Sequence, residues 1–390
     1  MSPLSNRYLK RDNVERMEQF YPLHVRVCDQ CFLVQLPVVV TPNDIFSDYA
    51  YFSSYSDSWL DHCRRYVESV TRRFCLGPRS QVVELASNDG YLLQYFKQGG
   101  VPALGIEPAA NVAKVSQAAG IETIVKFFGE ETASELRAAG RTADLLLGNN
   151  VLAHVPDIND FVKGMQILLK PAGIITMEFP HLLRLMQQNQ FDTIYHEHFS
   201  YLSLMTVERI FGSQGLRIFD VEQLSTHGGS LRVYAAHVAN TEQTESVELR
   251  ALRGEETKAG LDRMETYGAF AEQVRRTKRR LLEFLVKAKD EGKTVVGYGA
   301  PAKGNTLLNY CGIRTDFIDY TVDRNPYKQG RFLPGTHIPV AAPEQIMKTR
   351  PDYVLILPWN LEEEIVVQMT QIRAWGGKFV VPIPELRVIP

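Results

Sequence analysis

The chain has 390 residues, of which 45% are hydrophobic and 23% charged, and its charges nearly balance at a net -2. That length suits two or three domains with substantial cores, and the balance lacks the basic excess that marks a nucleic-acid surface. No apolar stretch reaches membrane-spanning length, the N-terminus lacks a signal-peptide pattern, and the five cysteines show no disulfide-scaffold spacing. A reducing, cytoplasmic setting is expected, with no nucleic-acid or membrane partner.

Residues 1 to about 75 read as a mixed segment carrying one Cys-x-x-Cys, Cys28 to Cys31. From Gln81 the pattern becomes strand, loop, helix, and repeats. Strands are expected at Val82–Leu85, Ala103–Ile106, Ala143–Leu147 and Gly173–Phe179, with helices at Tyr91–Gln98, Asn111–Ala119 and Asp157–Leu169. Alternation of this kind predicts a doubly wound parallel α/β sheet. Two later strands follow, at Leu216–Val221 and Ser230–Tyr234. Residues 245–292 are charged, Ala- and Leu-rich and helical in period, so they read as a connecting arm. Its basic run Arg275-Arg276-Thr277-Lys278-Arg279-Arg280 reads as a solvated helix face in preference to a phosphate contact. A second, Rossmann-like α/β unit begins at Thr294-Val295-Val296-Gly297-Tyr298-Gly299. The expected domains are 1–75, 76–244, 245–292 and 293–390.

The segment Phe191-Asp192-Thr193-Ile194-Tyr195-His196-Glu197-His198-Phe199-Ser200-Tyr201 holds two imidazoles, two phenols and carboxylates within eleven residues. It follows a strand, and side chains beyond the carboxyl end of a parallel strand point into the crevice where α/β sheets bind ligands. Histidine exchanges protons near neutrality, so this segment is the candidate catalytic centre.

The turn after the first strand, Glu84-Leu85-Ala86-Ser87-Asn88-Asp89-Gly90, lacks the Gly-x-Gly-x-x-Gly of dinucleotide sites. Glu107, about twenty residues on, is placed to accept ribose hydroxyl hydrogen bonds. Asn149, Asn150 and His154 leave the strand Ala143–Leu147 at its mouth. A carboxylate at Asp89 would repel a pyrophosphate and welcome a cationic aminoacyl group, which argues for S-adenosylmethionine over NAD. Glu84 joins that set through the methionine amine or by ordering backbone.

Taken together, Glu-Leu-Ala-Ser-Asn-Asp-Gly, Gly-Ile-Glu-Pro, Asn-Asn-Val-Leu-Ala-His-Val, Tyr-His-Glu-His and Thr226-His227-Gly228-Gly229-Ser230-Leu231-Arg232 resemble the nucleotide-sugar C-methyltransferases of branched deoxysugar pathways. The likeness runs from about Phe20 to the C-terminus. It implies a class I S-adenosylmethionine-dependent methyltransferase sheet, a small N-terminal substrate-lid module of zinc type, and a C-terminal domain that helps to hold the nucleotide-sugar. The implied substrate is a dTDP-linked 4-keto-deoxysugar, methylated beside its ketone through an enolate. His198 matches the family's general base, Glu197 a residue orienting the network, Tyr195 a phenol near the enolate oxygen, and His154 a further imidazole. Tyr49 is expected to reach in from the N-terminal region, with Tyr51 competing for that position. In the C-terminal unit, Gly297-Tyr298-Gly299-Ala300-Pro301-Ala302-Lys303-Gly304-Asn305 opens a helix whose amides would attract phosphate, and the resemblance assigns substrate binding to Lys303 and Asn305. Trp359 reads equally as packing or as a substrate-facing ring.

Relatives carry two Cys-x-x-Cys pairs that give a Cys₄ zinc site. Here Cys28 and Cys31 are half of such a site, and Cys63 and Cys75 are too far apart to be the other pair. The family's first pair lies upstream of a Ser-Pro-Leu-Ser-Asn segment, with which this chain begins. Either the true start lies upstream or half the site is lost, and tightly bound structural zinc is not expected in this chain. Two competing classes are an NAD-dependent nucleotide-sugar oxidoreductase using the Thr294–Asn305 loop and a non-catalytic ligand-binding remnant. Nothing in the pattern specifies an oligomeric state.

Overall fold

The computed structural model describes residues 1–41, 44–45 and 52–390. The chain divides into two compact units that are discontinuous in sequence, whereas the domains read from the sequence run consecutively. One comprises Cys28–His181 and Phe199–Asp262, and the other Met1–Val27, Leu182–His198 and Arg263–Pro390.

The first unit is built on β1 (Val82–Leu85), β2 (Ala103–Ile106), β3 (Glu122–Ile124), β4 (Ala143–Asn149), β5 (Leu169–Pro180), β6 (Leu216–Leu224) and β7 (Ser230–His237). Their order across the sheet is β3-β2-β1-β4-β5-β7-β6. The five strands β1 to β5 are parallel, whereas β7 runs antiparallel to both β5 and β6. Of the two late strands that complete the expected sheet, β7 alone opposes its direction; β6, antiparallel to β7, again runs with β1 to β5. One face packs Val83, Leu85, Leu104, Leu146, Ile175 and Met177 against Phe161, Val162 and Met165. Those three belong to the helix Ile158–Leu168, whose N-cap Asp157 accepts the Asp160 N–H. The other face is covered by α1 (Asp57–Arg73). Its buried Cys63, Tyr66, Val67 and Val70 recur at the helical spacing that makes one apolar stripe.

The second unit contains β8 (Val295–Tyr298), β9 (Thr321–Val322), β10 (Val340–Ala341), β11 (Tyr353–Ile356), β12 (Lys378–Val381) and β13 (Arg387–Ile389). They lie in the order β10-β9-β8-β11-β12-β13, parallel except for the last. The expected arm is two helices, Val247–Ala259 and Met264–Asp290, separated at Gly260, which takes a left-handed φ of 76°. The longer one carries the basic run, where exposed Arg275 and Arg279 pair with Glu272. Among the described residues no helix is long and apolar enough to cross a membrane.

Candidate active site

Strand parity sets a row of polar side chains on the α1 face of the seven-stranded sheet. Side chains alternate along a strand, so Val82 and Glu84 share a face, as do Leu145, Leu147 and Asn149, and Ile174, Thr176 and Glu178. Val82, Leu145, Leu147 and Ile174 pack in the core with α1. The polar members come last, at the carboxyl ends of the parallel strands, where ligands bind in such sheets.

Glu84 is fully buried, and no hydrogen bond of ordinary geometry reaches either carboxylate oxygen. Burial raises its pKa well above the usual range; the Tyr91 hydroxyl pulls the other way, and the charges of Asp89 and Glu107 add to the rise. The loop beyond it bends through left-handed Ala86 (φ 53°), Asn88 (φ 49°) and Gly90 (φ 80°). Glu107 fastens that loop: Oε2 accepts the Asn88 N–H at 2.9 Å, and Oε1 accepts the Ala109 N–H at 2.8 Å. Burial lifts the Glu107 pKa against the effect of these two amides. Asn88 Oδ1 accepts the Ser53 N–H at 3.0 Å, and Asp89 Oδ2 accepts the Ser54 N–H and hydroxyl at 3.1 and 2.6 Å.

Buried Ser87 Oγ, Asp89 Oδ1, Asn149 Nδ2 and Asn150 Oδ1 have no hydrogen-bond partner among the described residues. Each such orphan costs about 1–3 kcal/mol until a polar ligand meets it. Carboxylates, an amide donor and neutral acceptors on neighbouring strand ends fit a ligand bearing an ammonium group and ribose hydroxyls, which is the chemistry of S-adenosylmethionine. His154 closes the short turn Leu152–His154 that leaves β4. Tyr49 and its competitor Tyr51 lie outside the described residues.

A charge network ends the same row. Glu178 stands opposite Asn149 on one side and Arg232 on the other. Its Oε2 accepts from Arg232 at 2.5 Å and lies 3.0 Å from His62 Nε2, while Oε1 accepts the Thr226 hydroxyl at 3.0 Å. Burial alone would raise this carboxyl; the His62 hydrogen bond and the Arg232 charge overcome it and hold the pKa at about 2. Arg232 also stacks 4.3 Å over the Tyr66 ring, and Trp59 stacks on His62 at 5.0 Å. Sequence reasoning quoted Arg232 within a motif and passed over Glu178 and His62. A carboxylate inside the apolar run Gly173–Phe179 was the available signal, because a buried charge requires a partner.

The second unit holds the titratable segment. Its short turn Phe191–Thr193 is followed by Tyr195, Glu197 and His198. His198 Nδ1 lies 2.8 Å from the Thr193 carbonyl. A carbonyl only accepts, so Nδ1 carries the hydrogen, and in the neutral ring Nε2 is the proton-accepting nitrogen. Tyr195 lies against the same ring, centroid to centroid 4.2 Å. Glu197 Oε1 accepts from Asn6 Nδ2 at 2.7 Å, and burial pushes its pKa up to about 7. His196 is engaged otherwise, with Nε2 donating to the Pro22 carbonyl at 3.1 Å.

Lys303 and Asn305 part company. The Lys303 ammonium sits 4.1 Å over the Trp359 ring, and burial lowers its pKa to about 8 against the charge of Asp192. Asn305 turns inward, its Nδ2 donating to the Ser5 carbonyl at 2.6 Å. Trp359 is both a packing residue and a polar one, since its Nε1–H donates to buried Asp192 at 2.8 Å.

Cys28 and Cys31 flank a tight knuckle in which the Phe32 N–H donates to the Cys28 carbonyl at 2.9 Å. Among the described residues no group of three or more His, Cys, Asp or Glu could hold a metal ion. Two thiols do not close a tetrahedral zinc site.

Three family models match the chain: "Putative zinc binding domain" at residues 1–46, "Methyltransferase domain" at 59–221, and "C-methyltransferase C-terminal domain" at 225–384. C-methyltransferase NovU from Streptomyces niveus is 39% identical over 388 residues, which is 100% of this chain and 92% of that protein. Ubiquinone biosynthesis O-methyltransferase from Chelativorans sp. (strain BNC1) is 25% identical over 116 residues, covering 28% of this chain and 46% of that protein. The crystal structure of magnesium protoporphyrin IX methyltransferase (ChlM) from Synechocystis PCC 6803 with bound SAM aligns with a TM-score of 0.35 at 15% identity, over 49% of this chain and 86% of that one.

Proposed function

The chain belongs to the S-adenosylmethionine-dependent C-methyltransferases, and we propose that its acceptor is a nucleoside-diphosphate 4-keto-deoxysugar, methylated on a carbon beside the ketone. The observation that carries this reading is the Thr193 carbonyl on His198 Nδ1, which leaves Nε2 as the basic nitrogen. A carbon beside a ketone is acidic enough for such a base, and abstraction leaves an enolate as the nucleophile. Tyr195, against the same imidazole, would donate its hydroxyl to the enolate oxygen, and Glu197 would order the segment through Asn6. His154, in the seven-stranded unit, is kept as a further candidate imidazole.

Glu84, Ala86, Ser87, Asn88, Asp89, Gly90, Glu107, Asn149 and Asn150 are the residues that would hold the methyl donor. Its electrophilic methyl is what S-adenosylmethionine supplies when bound. Lys303, on its indole platform, would meet the diphosphate of the acceptor; Asn305 would serve by anchoring the Ser5 carbonyl. Acceptor binding without redox change separates this reading from a nicotinamide enzyme.

Calorimetry against S-adenosylmethionine, NAD and a panel of dTDP-linked 4-keto sugars tests the proposal, followed by NMR of the product. Methyl donor and a keto sugar should both bind, and a new carbon-bound methyl should appear beside the ketone. Binding of NAD in place of the methyl donor, or a methyl on oxygen, would overturn it.

A further inference from the structure

Asp192 has no exposed surface, an uncommon position for a carboxylate. Its Oδ2 accepts the Trp359 Nε1–H at 2.8 Å, while Oδ1 is buried without a hydrogen-bond partner among the described residues. Burial drives the Asp192 pKa up to about 7, and the charge of Lys303 and the indole donor lower it without offsetting the loss of water around the carboxylate. The group is thus retained against its own solvation preference.

What it touches suggests why. Asp192 is the middle residue of the turn Phe191–Thr193, and Thr193 carries the carbonyl that meets His198 Nδ1 at 2.8 Å. Few bonds define that turn: Thr193 N–H to the Gln190 carbonyl at 3.1 Å, Thr193 Oγ1 to the same carbonyl at 2.7 Å, and Ile194 N–H to the Phe191 carbonyl at 3.0 Å. All three are local. The Asp192–Trp359 bond spans 167 residues and fixes the turn to the loop after β11. Trp359 is in turn buried in the core with Phe191, Leu307 and Leu308, so its indole N–H is a rigid anchor.

We infer that Asp192 is a positioning residue for His198, tying to Trp359 the turn whose Thr193 carbonyl keeps the imidazole in its Nδ1–H form. This rests on the proposed role of His198 as base. Without the anchor the turn is held by its local bonds and by buried Phe191 alone, the Thr193 carbonyl meets Nδ1 less well, and the weight of the Nε2–H tautomer rises. In the wrong tautomer Nε2 carries the hydrogen and takes no proton.

Nitrogen-15 NMR of the whole chain labelled at histidine reads the tautomer directly, with His198→Asn assigning the resonance. Wild type should show the Nδ1–H form. Asp192→Ala and Trp359→Phe should each raise the other tautomer roughly 3–10-fold, the bias of one neutral hydrogen bond. Asp192→Asn keeps an oxygen acceptor for the indole and should restore the wild-type ratio. Trp359→Phe keeps an aromatic ring in place and carries the test if Asp192→Ala does not fold. A purely structural role would lower melting temperatures without moving the tautomer ratio; an unchanged ratio in Trp359→Phe overturns the inference. Methyl transfer at the wild-type rate by His198→Asn would instead remove the base assignment, so the two failures are separable.

Discussion

Glu178 and Asp192 are both fully buried, one in each compact unit, and their ionisation is pushed in opposite directions. Glu178 gathers Arg232, His62 and the Thr226 hydroxyl, and its pKa falls to about 2. At Asp192 burial outweighs the charge of Lys303, the indole N–H and the amides of its own turn, and its pKa rises to about 7. Desolvation raises both, so the partners decide the outcome. The seven-stranded unit thereby fixes its charge, in a network that ends the row of donor-site residues. The six-stranded unit keeps Asp192 and Glu197 close to titration at neutral pH, beside the imidazole proposed to move a proton. The contrast separates a carboxylate held charged by its partners from one held near neutrality by burial.

The sharpest way to break the contrast is His198→Asn. Loss of a positioned base typically lowers rate ~10²–10⁴-fold, and a carbon acid has little background ionisation to compensate. Methyl transfer and exchange of the acceptor's α-hydrogen with deuterated water should both vanish, with both ligands still bound. Exchange at the wild-type rate would move attention to His154. Tyr195→Phe should be milder, because other donors can share the enolate charge.

Next in size is Arg232→Met. It strands Glu178 without its main counter-charge, and removing one member of a buried pair costs about 3–5 kcal/mol. Urea denaturation measures it; a loss below about 1 kcal/mol would mean that His62 and Thr226 suffice. Smaller again is Glu107→Ala, which removes the acceptor of the Asn88 and Ala109 amides as well as the proposed ribose contact. Each hydrogen bond to a charged group contributes roughly 1.5–3 kcal/mol, so S-adenosylmethionine affinity should fall by about ten-fold or more. Unchanged affinity by calorimetry would remove Glu107 from the donor site.

The sequence revealed the elements whose signal is local. Apolar runs marked β1, β2, β4 and β5, and the cluster at 191–201 was visible as chemistry. β3 escaped because it has three residues, Glu122–Ile124, of which only Thr123 is buried; alternation needs more positions to register. α1 escaped because its stripe of Cys63, Tyr66, Val67 and Val70 is narrow and set among charged residues such as Asp61, Arg64, Arg65 and Glu68. Long-range pairing was invisible for another reason. Arg232 is 54 residues from Glu178, and Trp359 is 167 from Asp192, distances over which composition carries no trace of contact. The same limit hid the distant partners of Asn305 and Lys303, two residues apart, of which one meets Ser5 and the other Trp359.

The mildest prediction follows the contrast along the pH axis. Asp192 and Glu197 have folded pKa values of about 7, above the ~3.9 and ~4.3 of unfolded carboxyls. Between those limits the folded state binds more protons than the unfolded one, so their contribution is fully present below about pH 4 and is lost as pH rises through about 7. Glu178 has the opposite sign: its folded pKa of about 2 lies below the unfolded value, so its contribution is present above about pH 4.3 and lost as pH falls toward 2. The two windows meet at about pH 4. Trp359 and Trp375 belong to the six-stranded unit and Trp59 to the other, so urea unfolding followed by fluorescence in a Trp59→Phe background reports the six-stranded unit. Its midpoint should rise as the buffer is taken from pH 8 to pH 5, with a slope of no more than about 1.4 kcal/mol per pH unit for each proton bound. Asp192→Asn should flatten that slope by its share and leave the acid limb below pH 4 unaltered. An unchanged slope between pH 5 and 8 would show that Asp192 is held ionised by Lys303 after all, and the contrast between the two carboxylates would collapse.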